Sequence, residues 1–525
     1  MRFPTILTLC LASAAALCAA PPGITLDIKD FVTMPMTGAV DGKGQVQGLL
    51  SRVNFLREEP GGSSKRLFIN DLNGPLYILD KETHKFTTYL NFNGRDGQPG
   101  IFHRLPTDNG FANGFICFTF DPDYAHNGKF YTIHLEDPEV EEAAMPDNRN
   151  FPGLKLDGYT LTPTIRAPGT AQREAVLIEW TDTNTSNNTF EGTARELMRV
   201  QENTRIHPMG DLIFNPAAGP GSPEWRVLYV ANGDSGSGES LKPEMRSNPQ
   251  RLDVVLGKIL RIIPDLNTHR DTSILSENGR YRVPKDNPFF ATEGARPEIW
   301  AYGLRNPSRL SWTDDHLIAD VIGLYTWEMV DIIHKGANYG YSLREGNQLL
   351  LPNNKTAPLP EDDKIPVRID ETKTGGMITP AYPVIEYGHV KGGGDAIGSG
   401  YVYRGKAIPA LRGKYIFGDI STGNIWYVDY KEMLAADDGN PQTMAEMHPV
   451  QIRWMKPGGS SEVYGSMYPI TEWAYHERGG KAPSNPGYGK VSGGRSDIHF
   501  CEDSDGELYI LSKSDGMIRK VVAAK

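Results

Sequence analysis

Cysteine is scarce in this chain: four in 525 residues, and Cys10 and Cys18 fall within the first twenty. Cys117 and Cys501 remain, and neither lies in a motif that suggests a nucleophile. In an exported protein the two could pair, or both could be buried free thiols, and the sequence leaves that open. Beyond residue 20 no apolar run approaches the ~18 residues a membrane helix needs, so no membrane span is expected. Basic excess is also missing. The formal charge is −11 and no basic cluster carries interleaved aromatics, which excludes a phosphate backbone as partner. Long helical periodicity is nearly absent.

What is present begins with a processing signal. Met1-Arg2 gives a positive start, residues 6–17 are apolar, and Ala19-Ala20 precede Pro21-Pro22. Residues 1–20 read as a cleaved secretory signal, and 21–525 as a single domain in a secreted or periplasmic protein. Gly (56) and Pro (38) make up about 18% of the chain, above the usual ~12%. With 23 Tyr and 19 Phe, this predicts many turns between many strands.

The recurrent unit is a strand, a turn built on Asp, Asn, Gly or Pro, and a second strand. It occurs at 66–70 with 76–80, 115–120 with 129–134, 211–215 with 227–231, 308–313 with 317–321, 414–418 with 424–429, and 498–501 with 507–512. Further strands are expected at 176–180, 258–263, 298–302, 329–333 and 400–403. A radially repeated, four-stranded antiparallel unit would use them all and leave only short edges. A sandwich pair or two barrels fits the same pattern. Long Gly/Pro/Asn-rich segments interrupt it, among them 349–379 and 456–494.

Four places carry side chains suited to chemistry. His207 and Asp234 flank the strand pair within 205–234, each just outside a strand. An imidazole titrates near pH ~6.5 and can accept a proton at neutral pH. A structural histidine bonded to a loop is the plainer alternative. Arg305-Asn306-Pro307 would turn between two strands and present a planar, always-charged donor, although a local ion pair would also account for Arg305. Gly323-Leu324 offers adjacent backbone carbonyls of the kind calcium accepts, with Glu328 and Asp331 nearby in sequence. Asp234, in Asn232-Gly233-Asp234-Ser235-Gly236, would orient a substrate or close an Asx turn.

In this order the segments GFICFTFDPDYAHNGKFY, GDLIF after His207, LYVANGDSG, LGKILRI, VPKDNPF, EIWAYGLRNPSRLSW, DVIGLYTWEMVDII with KGANYGY, SGYVYRG and DSDGELYIL are similar to one family. The chain resembles the secreted quinoprotein sugar dehydrogenases, the glucose/sorbosone dehydrogenases that include soluble glucose dehydrogenase and aldose sugar dehydrogenase. The resemblance implies a six-bladed β-propeller of four-stranded antiparallel blades. It implies pyrroloquinoline quinone (PQQ) held with Ca2+ over one end of the channel, a sugar oxidised at C1, and an external electron acceptor. A homodimer is left open. By position, His207 matches the family's base and Asp234 the acid beside it. Arg305 and Asn306 match the pair that contacts the quinone, Gly323 and Leu324 the two calcium carbonyls, and Arg495 a cofactor-carboxylate arginine.

The chain departs from the family pattern in three places. Ala112-Asn113 stands where a Gln is frequent, and Ser421-Thr422-Gly423 where some members place a cofactor-contacting Lys. The carbonyl loop, Asp320-Val321-Ile322-Gly323-Leu324, has one additional residue. These changes keep two further readings open: a binding propeller without catalysis, and a Ca2+-dependent sugar-lactone hydrolase.

Overall fold

The computed structural model describes residues 23–525 apart from 39, 41–48, 62–64, 108–111, 391 and 482–494. The expected signal at 1–20 lies outside the described residues. The regular structure of the described residues is almost wholly strand, with few and short helices. Six sheets follow one another along the sequence. They begin at the strands Val53–Glu58, Phe115–Phe120, Met209–Phe214, Asn306–Thr313, Ile397–Val402 and Ile498–Glu502.

Four of these sheets are four-stranded antiparallel meanders, such as Met209–Phe214, Leu228–Asn232, Lys258–Ile262 and Ile299–Tyr302. The other two are larger, so the uniform four-stranded unit needs correction. Leu154–Lys155 and Thr164–Ile165 each add in parallel to Gly192–Glu202 in the second sheet. In the sixth, Thr25–Thr33 pairs antiparallel with Met517–Ala524 and parallel with Gln451–Met455.

The first strand of each sheet is the inner one. Val53–Glu58 packs on Phe115–Phe120, which packs on Met209–Phe214, and the series runs on to Ile498–Glu502, which packs on Val53–Glu58. Polar side chains cross-link these strands where the backbones turn away from one another. Arg57 Nη2 donates to Asp211 Oδ1 at 3.2 Å, and Asp211 Oδ2 accepts from the backbone of Leu310 at 2.9 Å. Arg309 Nη2 reaches Asn54 Oδ1 at 2.9 Å, and the Gly400 N–H donates to Asp320 Oδ2 at 3.0 Å. These contacts give the buried groups that make them the partners a dry interior favours.

Between sheets the packing is aromatic and aliphatic. Phe92, which follows the last strand of the first sheet, stacks on Phe115 of the second at 3.9 Å between ring centroids, and within the second Trp180 meets Phe190 edge to face at 5.6 Å. Cys117 and Cys501 are both buried and both free; Cys501 Sγ accepts from the Leu56 N–H. Among the described residues no helix is long and apolar enough to cross a membrane.

Three local expectations are revised. Pro307 does not sit in a turn. It lies inside Asn306–Thr313, at a register shift against His316–Ile322 that accommodates its missing N–H. Segment 456–494 carries the strand Ser461–Tyr464 and the ten-residue helix Tyr468–Glu477. Segment 349–379 carries the hairpin Ile365–Arg368 with Thr374–Ile378.

Candidate active site

A cavity of about 450 Å³ opens where the six inner strands begin. Its wall takes residues from each start: Asn54, Ile116, His207, Asn306, Ala396 and His499. The antiparallel pairing of Met209 with Asn232 explains why His207 and Asp234 meet. One residue precedes its strand, the other follows its strand, and both therefore lie at the same end of the sheet.

His207 has φ of +53°, in the left-handed region that a non-glycine residue seldom enters. The backbone is held there from both sides. Its carbonyl accepts from the Ser235 N–H at 3.0 Å, and a Cβ added at Gly233 would lie 2.3 Å from that carbonyl oxygen. Glycine at 233 is therefore what lets the two turns close on each other. His207 Nδ1 donates to Asp234 Oδ1 at 2.9 Å, which leaves Nε2 for a ligand.

Asp234 is fully buried and acts purely as an acceptor. It also receives the N–H groups of Gly236 at 2.9 Å and Gly238 at 2.8 Å. Burial and then the Arg305 charge push the His207 imidazole below its ordinary pKa, against the pull of Asp234. His207 is thus neutral and basic at pH 7.

Arg305 is fixed through its backbone and its side chain together. Its carbonyl accepts from the Asp234 N–H at 2.7 Å. Its guanidinium donates to the carbonyls of Ile322, at 3.2 Å, and Gly323, and pairs with Glu239 at 3.0 Å. Burial opposes this charge, but Tyr341, Glu239 and Asp234 outweigh it and hold its pKa above the ordinary value. Arg305 Nε is buried without a hydrogen-bond partner.

The loop beside it is organised by Glu345. One carboxylate oxygen accepts the N–H groups of Leu324, Tyr325, Thr326 and Trp327, at 2.8 to 3.3 Å. The additional residue of the Asp320–Leu324 stretch is taken up in the strand, since His316–Ile322 runs on to pair Ile322 with Asn306.

Of the residues singled out in the sequence, His207, Arg305, Asn306, Gly323, Leu324 and Arg495 all line this cavity, and Asp234 backs His207. Glu328 and Asp331 do not line it. Glu328 lies behind the wall, where it holds His389 Nε2 at 2.7 Å. Burial, opposed by no cation, pushes the Asp331 carboxyl up to about 8.

The sequence did not point to Arg309, His389, Asp395, His499 and Lys513, which line the same cavity. His389 with Glu328 makes a second histidine–carboxylate pair. Burial alone would lower its pKa, but Glu328 outweighs that and raises it, opposite to His207. Both oxygens of Asp395 are buried without partners, and burial raises its carboxyl to about 6.

The family's quinone is an anion with several carboxylates. The cavity suits such a group: Arg305, Arg309 and Arg495 are on its wall, Arg305 Nε is unpartnered, and Ile116, Ile206, Leu324 and Ile420 supply apolar faces. The calcium site does not fit in the same way. The Gly323 carbonyl is already committed to Arg305, and among the described residues no group of three His, Cys, Asp or Glu is placed to hold a metal.

Sheets in series, with a histidine–carboxylate pair and an arginine at the start of the inner strands, define an all-β protein with a polar-walled cavity. Residues 65–465 match the family described as Glucose / Sorbosone dehydrogenase, and the chain belongs to that family. It is 28% identical over 333 residues to the HIPL1 protein of Arabidopsis thaliana, covering 60% of this chain and 43% of that protein. It is 25% identical over 475 residues to the human Hedgehog-interacting protein, covering 90% of this chain and 50% of that one. The chain thus spans about half the length of these curated relatives. The apo-form crystal structure of the soluble aldose sugar dehydrogenase of Escherichia coli has the same fold, with a TM-score of 0.52 at 16% identity. The match covers 91% of this chain and 98% of that one.

Proposed function

We propose that the protein is a six-bladed β-propeller that oxidises an aldose at C1 with a bound quinone, PQQ, outside the cytoplasm. The observation that carries this reading is the neutral His207, its Nδ1 fixed by Asp234, on a cavity walled by arginines. The propeller is supported by six sheets in series whose inner strands pack in turn, the last against the first. Export is supported by the signal-like residues 1–20.

In this reading His207 Nε2 takes the proton of the C1 hydroxyl as hydride leaves C1, and Asp234 stabilises the imidazolium that forms. Arg305, Asn306 and Arg495 hold and orient the quinone, and Arg305 offers its free Nε–H to charge developing on an oxygen. The quinone, when bound, supplies the two-electron acceptor chemistry, and an external acceptor removes the electrons. Gly323 and Leu324 would hold calcium through their carbonyls, of which that of Gly323 accepts from the Arg305 guanidinium in this structure. No step is assigned to calcium.

A second reading is a binding module without catalysis. It is favoured by the engaged Gly323 carbonyl and by relatives named for interaction with Hedgehog. One experiment separates the readings. PQQ, with and without Ca2+, is added to the protein, and dye reduction is followed with an aldose. A quinone absorption band with sugar-dependent dye reduction is expected. A band without turnover, or no band, supports the binding module. Lactone cleavage that requires Ca2+, without dye reduction, would instead support a hydrolase.

A further inference from the structure

Lys513 follows the strand Leu508–Ser512, and its backbone N–H donates to the Asp497 carbonyl at 3.1 Å. The side chain is only 6% exposed, yet it lines the cavity that holds His207. Among the described residues it forms no ion pair. Its polar contact is His499, whose Nε2 lies 3.1 Å from Nζ.

The other side of His499 fixes the protonation of this contact. Arg309 Nη2 faces His499 Nδ1 at 3.4 Å. A guanidinium only donates, so Nδ1 is the acceptor. The single proton of a neutral imidazole is then on Nε2, directed at Nζ. A hydrogen bond there needs a lone pair on the lysine nitrogen. An ammonium has none, and a free amine has one. The surroundings agree. Burial brings the Lys513 pKa down to about 7, Arg309, Arg52 and Arg495 push the same way, and Asp497 alone opposes them. His499 is itself held well below its ordinary pKa by burial, Lys513, Arg309 and Arg495, and stays neutral.

We propose that Lys513 is a carbonyl-capturing amine that forms an imine with a small oxo acid, a compound bearing an aldehyde or ketone next to a carboxylate. A buried lysine among guanidinium groups is the arrangement that keeps an amine nucleophilic at neutral pH. The Nζ lone pair, released from the His499 N–H, adds to the carbonyl carbon. The two amine hydrogens then leave with the carbonyl oxygen as one water molecule, and a C=N bond replaces C=O with no change of oxidation state. The carboxylate of the ligand pairs with Arg309 and Arg495 on the same wall, which selects an oxo acid over a neutral aldehyde.

The inference needs neither the quinone nor the dehydrogenase reading. The test is run on quinone-free protein with glyoxylate and cyanoborohydride at pH 7, followed by digestion and mass spectrometry. One carboxymethyl group is expected on Lys513. It should form on the order of a hundredfold faster than on exposed Lys65, because far more of the amine is neutral than for a lysine titrating at ~10.4. Acetaldehyde should label Lys513 much more slowly than glyoxylate. Lys513→Arg, which keeps a long cationic chain, should abolish the adduct with the circular dichroism spectrum unchanged. Labelling of Lys65 with none at Lys513 overturns the proposal, and equal rates for the two probes overturn the oxo-acid class. The wild-type measurement stands even if the variant does not fold.

Discussion

Asp234 accepts a 2.9 Å hydrogen bond from His207 Nδ1 while two further N–H groups fix the same carboxylate. The imidazole therefore cannot rotate to offer its other nitrogen. His207→Ala should lower sugar-dependent turnover by the ~10²–10⁴ typical of a lost general base. Quinone binding should persist. Turnover equal to that of the wild type would remove His207 from the reaction.

Asp234→Asn replaces an acceptor by a group that also donates, opposite three donors. A cost of about 1–3 kcal/mol in urea denaturation is expected from one mispaired buried group. With the carboxylate charge gone, the imidazolium is less stabilised, so the acid limb of the pH–rate profile should move further down. A limb that stays in place would show that Asp234 does not tune His207.

The pH dependence of the unmodified protein has a definite sign. Burial and Arg305 hold the His207 pKa below its ordinary value, so the neutral base predominates at pH 7 and activity should change little as pH rises from there. Activity should fall only as pH drops through the lowered value. Half-maximal kcat/KM above pH 6.5 would contradict the burial and Arg305 argument.

Glu345→Ala removes the oxygen shared by four N–H groups from Leu324 to Trp327. A loss of about 1.5–3 kcal/mol is expected, the range for hydrogen bonds to a charged acceptor. Quinone affinity should fall with it, since Gly323 and Leu324 line the cavity. Unchanged affinity in a titration followed by fluorescence would separate this loop from ligand binding.

The cysteines give a simple check. Burial raises the Cys117 thiol well above its ordinary pKa and the Cys501 thiol to about 11. Neither should react with iodoacetamide in the native state, and reductant should leave Tm unchanged. A Tm that falls under dithiothreitol would mean the two are bonded.

Much of the architecture was legible in the sequence because turn chemistry and alternation mark strands locally. His207, Arg305 and Gly323 were legible as a group only through their order along the chain. Arg309, His499 and Lys513 were not. A charged residue within or just after a strand reads as solvent-facing, and only the convergence of six strand starts turns these three inward. Ser421 and Thr422, one departure from the family pattern, do not line the cavity. Ser421 and Thr422 donate to the Asp419 carboxylate and shape a turn, while a lysine enters the cavity from another sheet. The larger second sheet was not visible either, since two-residue parallel additions carry no periodicity, and in the sixth the pairing of Thr25–Thr33 with Gln451–Met455 and Met517–Ala524 joins segments too distant for local patterning to connect.

The pairing of Thr25–Thr33 with Met517–Ala524 has a kinetic meaning. Asp30 and Arg519 form an ion pair at 3.0 Å although 489 residues separate them. During synthesis the early strand emerges long before its antiparallel neighbour exists. Closing so long a loop is slow, and an unsatisfied strand edge is an aggregation hazard meanwhile. The nascent chain therefore carries an open edge until Met517–Ala524 is made, the interval in which a chaperone would matter most.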